Sequence, residues 1–388
     1  MGKPPVDFDM QMSGDSAEYD GSVRVRVAKS SPFPPMVTPT YNTNPGNRLP
    51  KWMDKDGVLW SSHMTDGLYK STDYGETWTF VQASPRTDIA ATALIMTDTG
   101  RAIWCIGSRW FYVSNEAKSS WTTAFTFDVG YVSTSYGFDK YKNVIVISAY
   151  GDKNGATSPS QVVISKDDGA TWSLIYDGGD MAGYHIHTVA IDPWAGNRIW
   201  ISEGDVDRRQ IVYSDDYGTT WRYVYNDGDP TSPVWGQGIQ PTQIIPTPHG
   251  VLFGTDQAPD GFHFWKRPQG ILQPEVDKKD ISQIYTVNGS SNLEVLMVRG
   301  WYNIDTVEPT YLFAGLPADS AVGGYSRIFA SVDGMNIYNI WTYPTKKEYK
   351  PMWIVGPHVD DPNRTFWVTI QKADGNYVLM TAQFPQFL

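Results

Sequence analysis

Five positions at fixed spacing recur three times in this chain. Ser71-Thr-Asp73-Tyr-Gly75-Glu-Thr77-Trp78 returns as Ser165-Lys-Asp167-Asp-Gly169-Ala-Thr171-Trp172 and as Ser214-Asp-Asp216-Tyr-Gly218-Thr-Thr220-Trp221. A repeat this regular restricts the fold to an array of like units. The pattern Ser-x-Asp-x-Gly-x-Thr-Trp reads as a hairpin turn. Its Asp accepts hydrogen bonds from turn backbone N–H groups, and its Gly supplies a positive φ. Thr and Trp open the next strand, where β-branched and aromatic residues belong. The flanks agree: Gln161-Val-Val-Ile-Ser165 leads in and Thr171-Trp-Ser-Leu-Ile-Tyr176 leads out.

Two eroded copies extend the series. Ser114-Asn-Glu116-Ala-Lys118-Ser-Ser120-Trp121 puts Glu116 in the Asp slot, and Ser331-Val-Asp333-Gly-Met335-Asn-Ile337-Tyr338 puts Tyr338 in the Trp slot. The five copies begin at 71, 114, 165, 214 and 331, so the first three intervals are 43, 51 and 49 residues. These fit a four-stranded unit of roughly 40–50 residues. The last interval fits two units with an insertion placed around Trp301–Tyr325, where Gly, Pro and Asp interrupt the pattern.

Here the sequence resembles the Asp-box (BNR) repeat family, whose members include sialidases and other glycan-active enzymes on β-propellers. In that family the box is a peripheral structural turn, so the resemblance bears on fold more than on activity. The expectation is an all-β chain forming a single β-propeller of four-stranded antiparallel blades, seven in number, with six as the alternative. The blades fall near 47–82, 91–127, 131–176, 185–225, 241–275, 281–343 and 351–388. Ser22–Ala28 would complete the last blade and close the ring, making 22–388 the propeller and 1–21 a polar N-terminal arm.

A net charge of −11 with no basic run argues against a nucleic-acid partner. No apolar run of about 18 residues occurs, so no membrane span is expected. The N-terminus lacks a signal-peptide pattern, which fits a virion tail component or an extracellular protein whose leader has been removed. Nothing in the sequence calls for a cofactor.

Three sets of residues are candidates for chemistry. Tyr184-His185-Ile-His187 should begin the innermost strand of a blade, with both imidazoles on one face. With Asp192, Glu203 or Asp205 they suit a divalent metal, or one His suits a general base. Their alternative role is hydrogen bonding between blades. Sialidases carry an Arg-Ile-Pro motif whose Arg clamps the substrate carboxylate, and Arg48-Leu-Pro50 resembles it, 23 residues before the first box. Arg299 and Arg327 are possible further members of such a clamp, yet no acid, Glu and Tyr complete a sialidase set. Finally, the chain holds 16 Trp, 23 Tyr and 15 Phe. Trp235, Trp301 and Tyr302 fall in expected loops, where rings stack on sugars or anchor interfaces.

Two functions follow. One is a carbohydrate- or receptor-binding propeller. The stretch from Tyr184 to Trp221 is similar to Asp-box phage minor tail proteins, which implies a virion role, a surface glycan or host receptor as partner, and possible contacts with other tail proteins. The other is a glycoside hydrolase or polysaccharide lyase with its site at the channel mouth. The binding class is favoured because the catalytic set is incomplete.

Overall fold

Each complete copy of the repeat folds into the same bonded turn. Asp73 Oδ1 accepts from the Thr77 backbone N–H (2.9 Å) and from Ser71 Oγ (2.6 Å), while Thr77 Oγ1 donates to Asp73 Oδ2 (2.5 Å). Ser71 Oγ in turn accepts from the Gly75 N–H at 2.9 Å. The same four bonds measure 2.8, 2.8, 2.6 and 2.8 Å around Asp167 and 2.8, 2.8, 2.7 and 2.7 Å around Asp216. Two successive residues are left-handed, not the Gly alone. Tyr74 and Gly75 have φ of 59° and 89°, and Asp168 with Gly169 and Tyr217 with Gly218 repeat this. In the copy at Ser114 the Asp role falls to Asn115 rather than Glu116. Asn115 Oδ1 accepts from the Ser119 N–H at 2.7 Å, and Glu116 instead pairs with Arg101 at 2.8 Å.

The computed structural model describes residues 27–28, 37, 39–43, 48–63, 66–87, 91–106, 110–128, 131–132, 137–150, 159–180, 185–204, 210–225, 241–255, 262–267, 281–285, 295–303, 310–317, 326–331, 337–342, 349–358, 360–372 and 374–384. Two short strands come first, β1 (Val27–Ala28) and β2 (Thr40–Asn42). The first sheet holds β3 (Pro50–Met53), β4 (Leu59–His63), β5 (Gly67–Ser71) and β6 (Thr79–Gln82). The second holds β7 (Ala91–Met96), β8 (Ala102–Ile106), β9 (Trp110–Ser114) and β10 (Trp121–Thr126). In the third, β11 (Tyr131–Val132) and β12 (Phe138–Tyr141) both pair with β13 (Val144–Tyr150), followed by β14 (Pro159–Ser165) and β15 (Ser173–Asp180). The fourth runs β16 (His185–Asp192), β17 (Arg198–Gly204), β18 (Gln210–Ser214) and β19 (Arg222–Tyr225). The fifth runs β20 (Pro241–Thr247), β21 (Gly250–Thr255), β22 (Phe262–Lys266) and β23 (Ile281–Tyr285). The sixth has β24 (Val295–Asn303), β25 (Thr310–Pro317), β26 (Arg327–Ser331) and β27 (Ile337–Thr342). The seventh has β28 (Tyr349–Val355), β29 (Thr365–Lys372) and β30 (Tyr377–Gln383).

These are antiparallel sheets of a β-propeller. Innermost strands touch in succession, with β3 against β7, β16 against β20, β20 against β24, β24 against β28, and β28 back against β3. The third sheet joins through β11 against β8 and β12 against β16.

The core lies in the seams between sheets. One seam packs Trp60 and Leu68 on Leu94 and Trp104; another packs Ile328 and Trp341 on Phe366 and Val368. Fully burying one such side chain stabilises by about 1.5–3 kcal/mol. Cys105 belongs to this core, and burial pushes its thiol up. The Trp of each turn covers the preceding sheet. Trp221 Nε1 donates to Ile175 O and Trp121 Nε1 to Ala83 O, both at 2.8 Å. Trp172 stands edge-on to Phe111 at 4.8 Å, and Trp78 packs on the cluster of Val355 and Trp367.

Four expectations need correction or fall outside the description. The seventh sheet is completed by β2, which pairs antiparallel with β30, and not by Ser22–Ala28. Val27–Ala28 instead runs parallel to β27 as a fifth strand of the sixth sheet. The open edge of β30 is met by the segment just before β3, which already adjoins the seventh sheet. Ile281–Tyr285 ends the fifth sheet rather than starting the sixth. The supposed insertion at 301–325 holds the end of β24 and all of β25, since Gly300 sits at a register shift and Gly315 is accommodated within the ladder. Residues 1–21 lie outside the described residues.

Two predictions follow from the turns. Gly75→Ala places a Cβ no nearer than 3.7 Å to any side chain and meets mainly the left-handed strain, about 1–2 kcal/mol. Gly218→Ala places it 2.5 Å from Ile175 Cβ on the neighbouring sheet, adding about 1–3 kcal/mol of overpacking. Denaturant titration should therefore rank Gly218→Ala well below Gly75→Ala; equal losses would contradict this packing. Second, hydrogen bonds from Ser71 and Thr77 lower the Asp73 carboxyl to about 2, and the Thr220 backbone and hydroxyl do the same for Asp216. Both lie below the unfolded value of roughly 3.9. Their stabilisation is thus complete above that value and disappears as pH falls through about 2. An Asp73→Asn, Asp216→Asn variant should show a shallower loss of melting temperature between pH 5 and 2 than the parent chain.

Candidate functional site

An antiparallel four-stranded unit places its first-to-second and third-to-fourth connections at one end. The repeated turns are third-to-fourth connections, so they mark that end. The opposite end receives the starts of the innermost strands, which line the axis of a propeller.

At that opposite end the innermost strands break register in the same way. Shifts fall between Pro50 and Trp52, Ala91 and Ala93, Ile186 and Thr188, Pro241 and Ile244, Val298 and Trp301, and Pro351 and Trp353. In the third sheet the innermost position is itself divided between β11 and β12. A bulge breaks the in–out alternation and re-aims its residue. The positions that fall in these shifts are Lys51, Thr92, His187, Thr242 with Gln243, Arg299 with Gly300, and Met352. Sequence reasoning found His187 and Arg299 but missed Lys51, Thr92 and Gln243. The signal was a proline inside a strand run, which is tolerated at bulges: Pro50, Pro241 and Pro351 each open one of these shifts.

His185 and His187 do come together, with ring centroids 4.7 Å apart. Both are buried. The His187 imidazole lies flat against the Gly204 backbone, where a Cβ would fall only 2.0 Å from its Cε1. Glu203 is buried one residue away, with Oε1 directed at Gly178. Asp192 is not available to the histidines. It lies at the far end of β16, about 16 Å along the strand, and accepts from Trp200 Nε1 (3.1 Å), the Trp194 N–H (3.2 Å) and Arg267 (2.5 Å). Among the described residues no three His, Cys, Asp or Glu side chains gather to hold a metal ion.

Lys51 is the exceptional cation. Nζ donates to Ala91 O at 2.9 Å and stands 4.6 Å from the Trp353 ring centroid. Burial lowers its amine to about 7. Arg48 is committed elsewhere: both Nη atoms donate to Asp66 Oδ2 at 3.3 Å, and its guanidinium lies 3.6 Å over the Tyr69 ring. Arg327 opens β26, opposite Gly315 and Thr342. Arg48 thus adjoins the first sheet whereas Arg299 and Arg327 belong to the sixth, with the seventh between them. Trp301 and Tyr302 are not loop residues; they lie in β24 opposite Leu312 and Tyr311. Tyr184, Asp205 and Trp235 lie outside the described residues.

No family model matches the chain. No curated protein matches it. Among solved structures it is similar to YCF48 bound to D1 peptide, with 12% identity, 92% of this chain and 97% of that one covered, and a TM-score of 0.54. It is similar to YCF48 from Cyanidioschyzon merolae at 13% identity, with 89% and 98% covered and a TM-score of 0.52. A polysaccharide lyase of family PL25, an ulvan lyase bound to a sulfated glycan, aligns at 12% identity over 86% and 92% with a TM-score of 0.49. At such identities the likeness to the two YCF48 structures bears on the fold alone.

Proposed function

We propose that this chain is an Asp-box propeller that binds a carbohydrate, or a glycan-bearing receptor, at the channel mouth opposite its repeated turns. The observation that carries this reading is the run of bulges. They bring Lys51, Thr92, His187 and Gln243 to one end of the innermost strands, where Lys51 stands beside the Trp353 ring. Polar groups set next to an aromatic face suit a sugar. Counting each of the seven sheets as one blade makes the ring seven-bladed, and the cyclic succession of inner-strand contacts supports that count. We further read the chain as a minor tail component of a phage virion. The similarity of the Tyr184–Trp221 stretch to such proteins and the net charge of −11 support this role.

A glycoside hydrolase or polysaccharide lyase is the second reading, favoured by the paired imidazoles of His185 and His187. A glycan array run beside a reducing-sugar release assay separates the two. Binding without release is expected, with His187→Ala and Gln243→Ala each weakening it about tenfold, or ~1.4 kcal/mol. Release that vanishes in His187→Ala would establish the enzyme instead, and a silent array with no release would refute glycan recognition.

A further inference from the structure

The fourth strand of each of the first six sheets bulges at one residue. These residues are Val81, Ala124, Ile175, Val224, Ile284 and Ile340. All are Val or Ile except Ala124 in β10. In the seam between the third and fourth sheets the larger side chain fills the corner under the next repeated turn. A Cβ on Gly218 would fall 2.5 Å from the Ile175 Cβ, and Trp221 Nε1 donates to the Ile175 carbonyl at 2.8 Å. The seam between the second and third sheets is built differently. The atoms nearest a Cβ on Gly169 belong to Thr97, Ile103 and Ile145, at 3.4, 3.5 and 3.8 Å, and not to β10. Trp172 Nε1 donates to Gly169 O of its own turn at 3.2 Å instead of reaching across.

A cleft of about 310 Å³ opens at this corner. Its apolar lining is Val113, Ala124 and Trp172, of which Ala124 and Trp172 remain partly exposed. Ser120, Thr122, Thr123 and Thr171 are exposed and give it a polar rim. Arg101 also lines it, but that charge is met by Glu116 at 2.8 Å, so the cleft suits a neutral occupant. An apolar pocket within a polar rim is the setting in which protein interfaces bury an anchor side chain. The strand edge beside the cleft is open: among the described residues β10 pairs with β9 alone. The sixth sheet shows what such an edge accepts, since β1 adds parallel to β27 at Ile337 and Tyr338. Phe329, two residues before Ser331, pairs with Asn339, just as Tyr112, two before Ser114, pairs with Thr123. Ile337 and Tyr338 therefore correspond to Trp121 and Thr122, and a strand added in that register runs alongside the cleft.

We propose that this rim cleft docks an extended, uncharged segment of a partner protein, which adds to the open edge of β10 and places one aliphatic side chain against Ala124 and Trp172. The partner supplies the Val or Ile that the other five sheets carry in their own fourth strand. Ala124 forgoes the packing that a larger side chain would add, as expected where a site is kept open at the expense of stability. The cleft lies at the turn end, so it is separate from the channel mouth and independent of the glycan-binding reading.

Titration of the full chain with the peptide acetyl-Ser-Thr-Ile-Thr-Ser-amide and with its Ile-to-Ser counterpart tests it, followed through the Trp172 indole N–H resonance. Trp172→Phe assigns that resonance by its loss. The Ile peptide should bind more tightly than the Ser peptide by about tenfold or more, and methylation of its backbone nitrogens should abolish binding. Ala124→Ile should remove the advantage of the Ile peptide. That variant should melt no lower than the parent chain, because it fills the corner as Ile175 does in the next seam. Equal affinities for the two peptides, or an advantage that survives Ala124→Ile, would overturn the proposal. So would a lowered melting temperature in Ala124→Ile, which would mean that the corner has no room for an aliphatic group. A response of Trp172 to methyl glucoside with none to either peptide would assign the cleft to a sugar instead, and silence with all three probes would refute docking there.

Discussion

Burial of both faces of every sheet is the constraint from which the rest follows. A sheet with Ile145 and Ile147 on one face and Val144 and Val146 on the other has no solvent side. It must be covered twice, and like neighbours in a ring meet that demand with no apolar face left open. The repeated turn serves this arrangement directly. Its Ser, Asp and Thr bond the loop to itself, which leaves the Trp free to lie across the preceding sheet. Trp221 meets Tyr176 edge-on at 4.9 Å while its indole N–H holds the Ile175 carbonyl. The motif is therefore both a turn and a clasp between neighbours.

Closure of the ring uses the same physics with different parts. The first and last sheets share an apolar floor, and Trp78 of the first turn packs there as the other Trp residues do at their seams. Polar contacts add to it at the turn end. His358 Nε2 lies 2.9 Å from Lys55 O, and Tyr74 Oη donates to Asp361 at 3.4 Å. The strand β2 then pairs with β30, so residues from both ends of the sequence build one sheet. Tyr74 stacks at 6.3 Å on Trp367 of that sheet. A residue in a variable slot of the repeat thus contributes to closure because the turn holds it at positive φ.

Much of the fold was legible because side-chain chemistry and spacing coincide in the turns. Ser, Asp, Gly and Thr are each needed for a bond or a φ, so their pattern survives intact in three copies. Where one residue can substitute for another, the pattern misled. Asn115 supplies the carboxamide oxygen one place earlier than Glu116, and only the folded loop reveals it. Gly300 and Gly315 looked like loop residues, but glycine is also what a bulge or a close strand pairing accepts. The site was less legible. The His185 and His187 rings meet although a bulge falls at His187, whereas Lys51 gains its character from Ala91 and Trp353, each on a different sheet. No local pattern encodes contacts made across two seams.

The two ends of the ring meet different physical demands. At the turn end, backbone N–H groups are tied to Asp and Ser side chains, and a buried pair, Arg267 with Asp192, links the fifth sheet to the fourth. Breaking one partner of such a pair leaves an uncompensated buried charge, so the pair ties the two sheets together at that end. At the mouth end the alternation is interrupted by bulges, and polar atoms such as Ser61 Oγ and Thr369 Oγ1 are buried without partners among the described residues. Those groups contribute nothing to closing the ring, which the apolar floor beneath them already achieves. A propeller can tolerate unmet polar groups at one end because its stability resides in the seams and at the other. The bulges and the unpartnered hydroxyls of Ser61 and Thr369 thus share the end opposite the repeated turns.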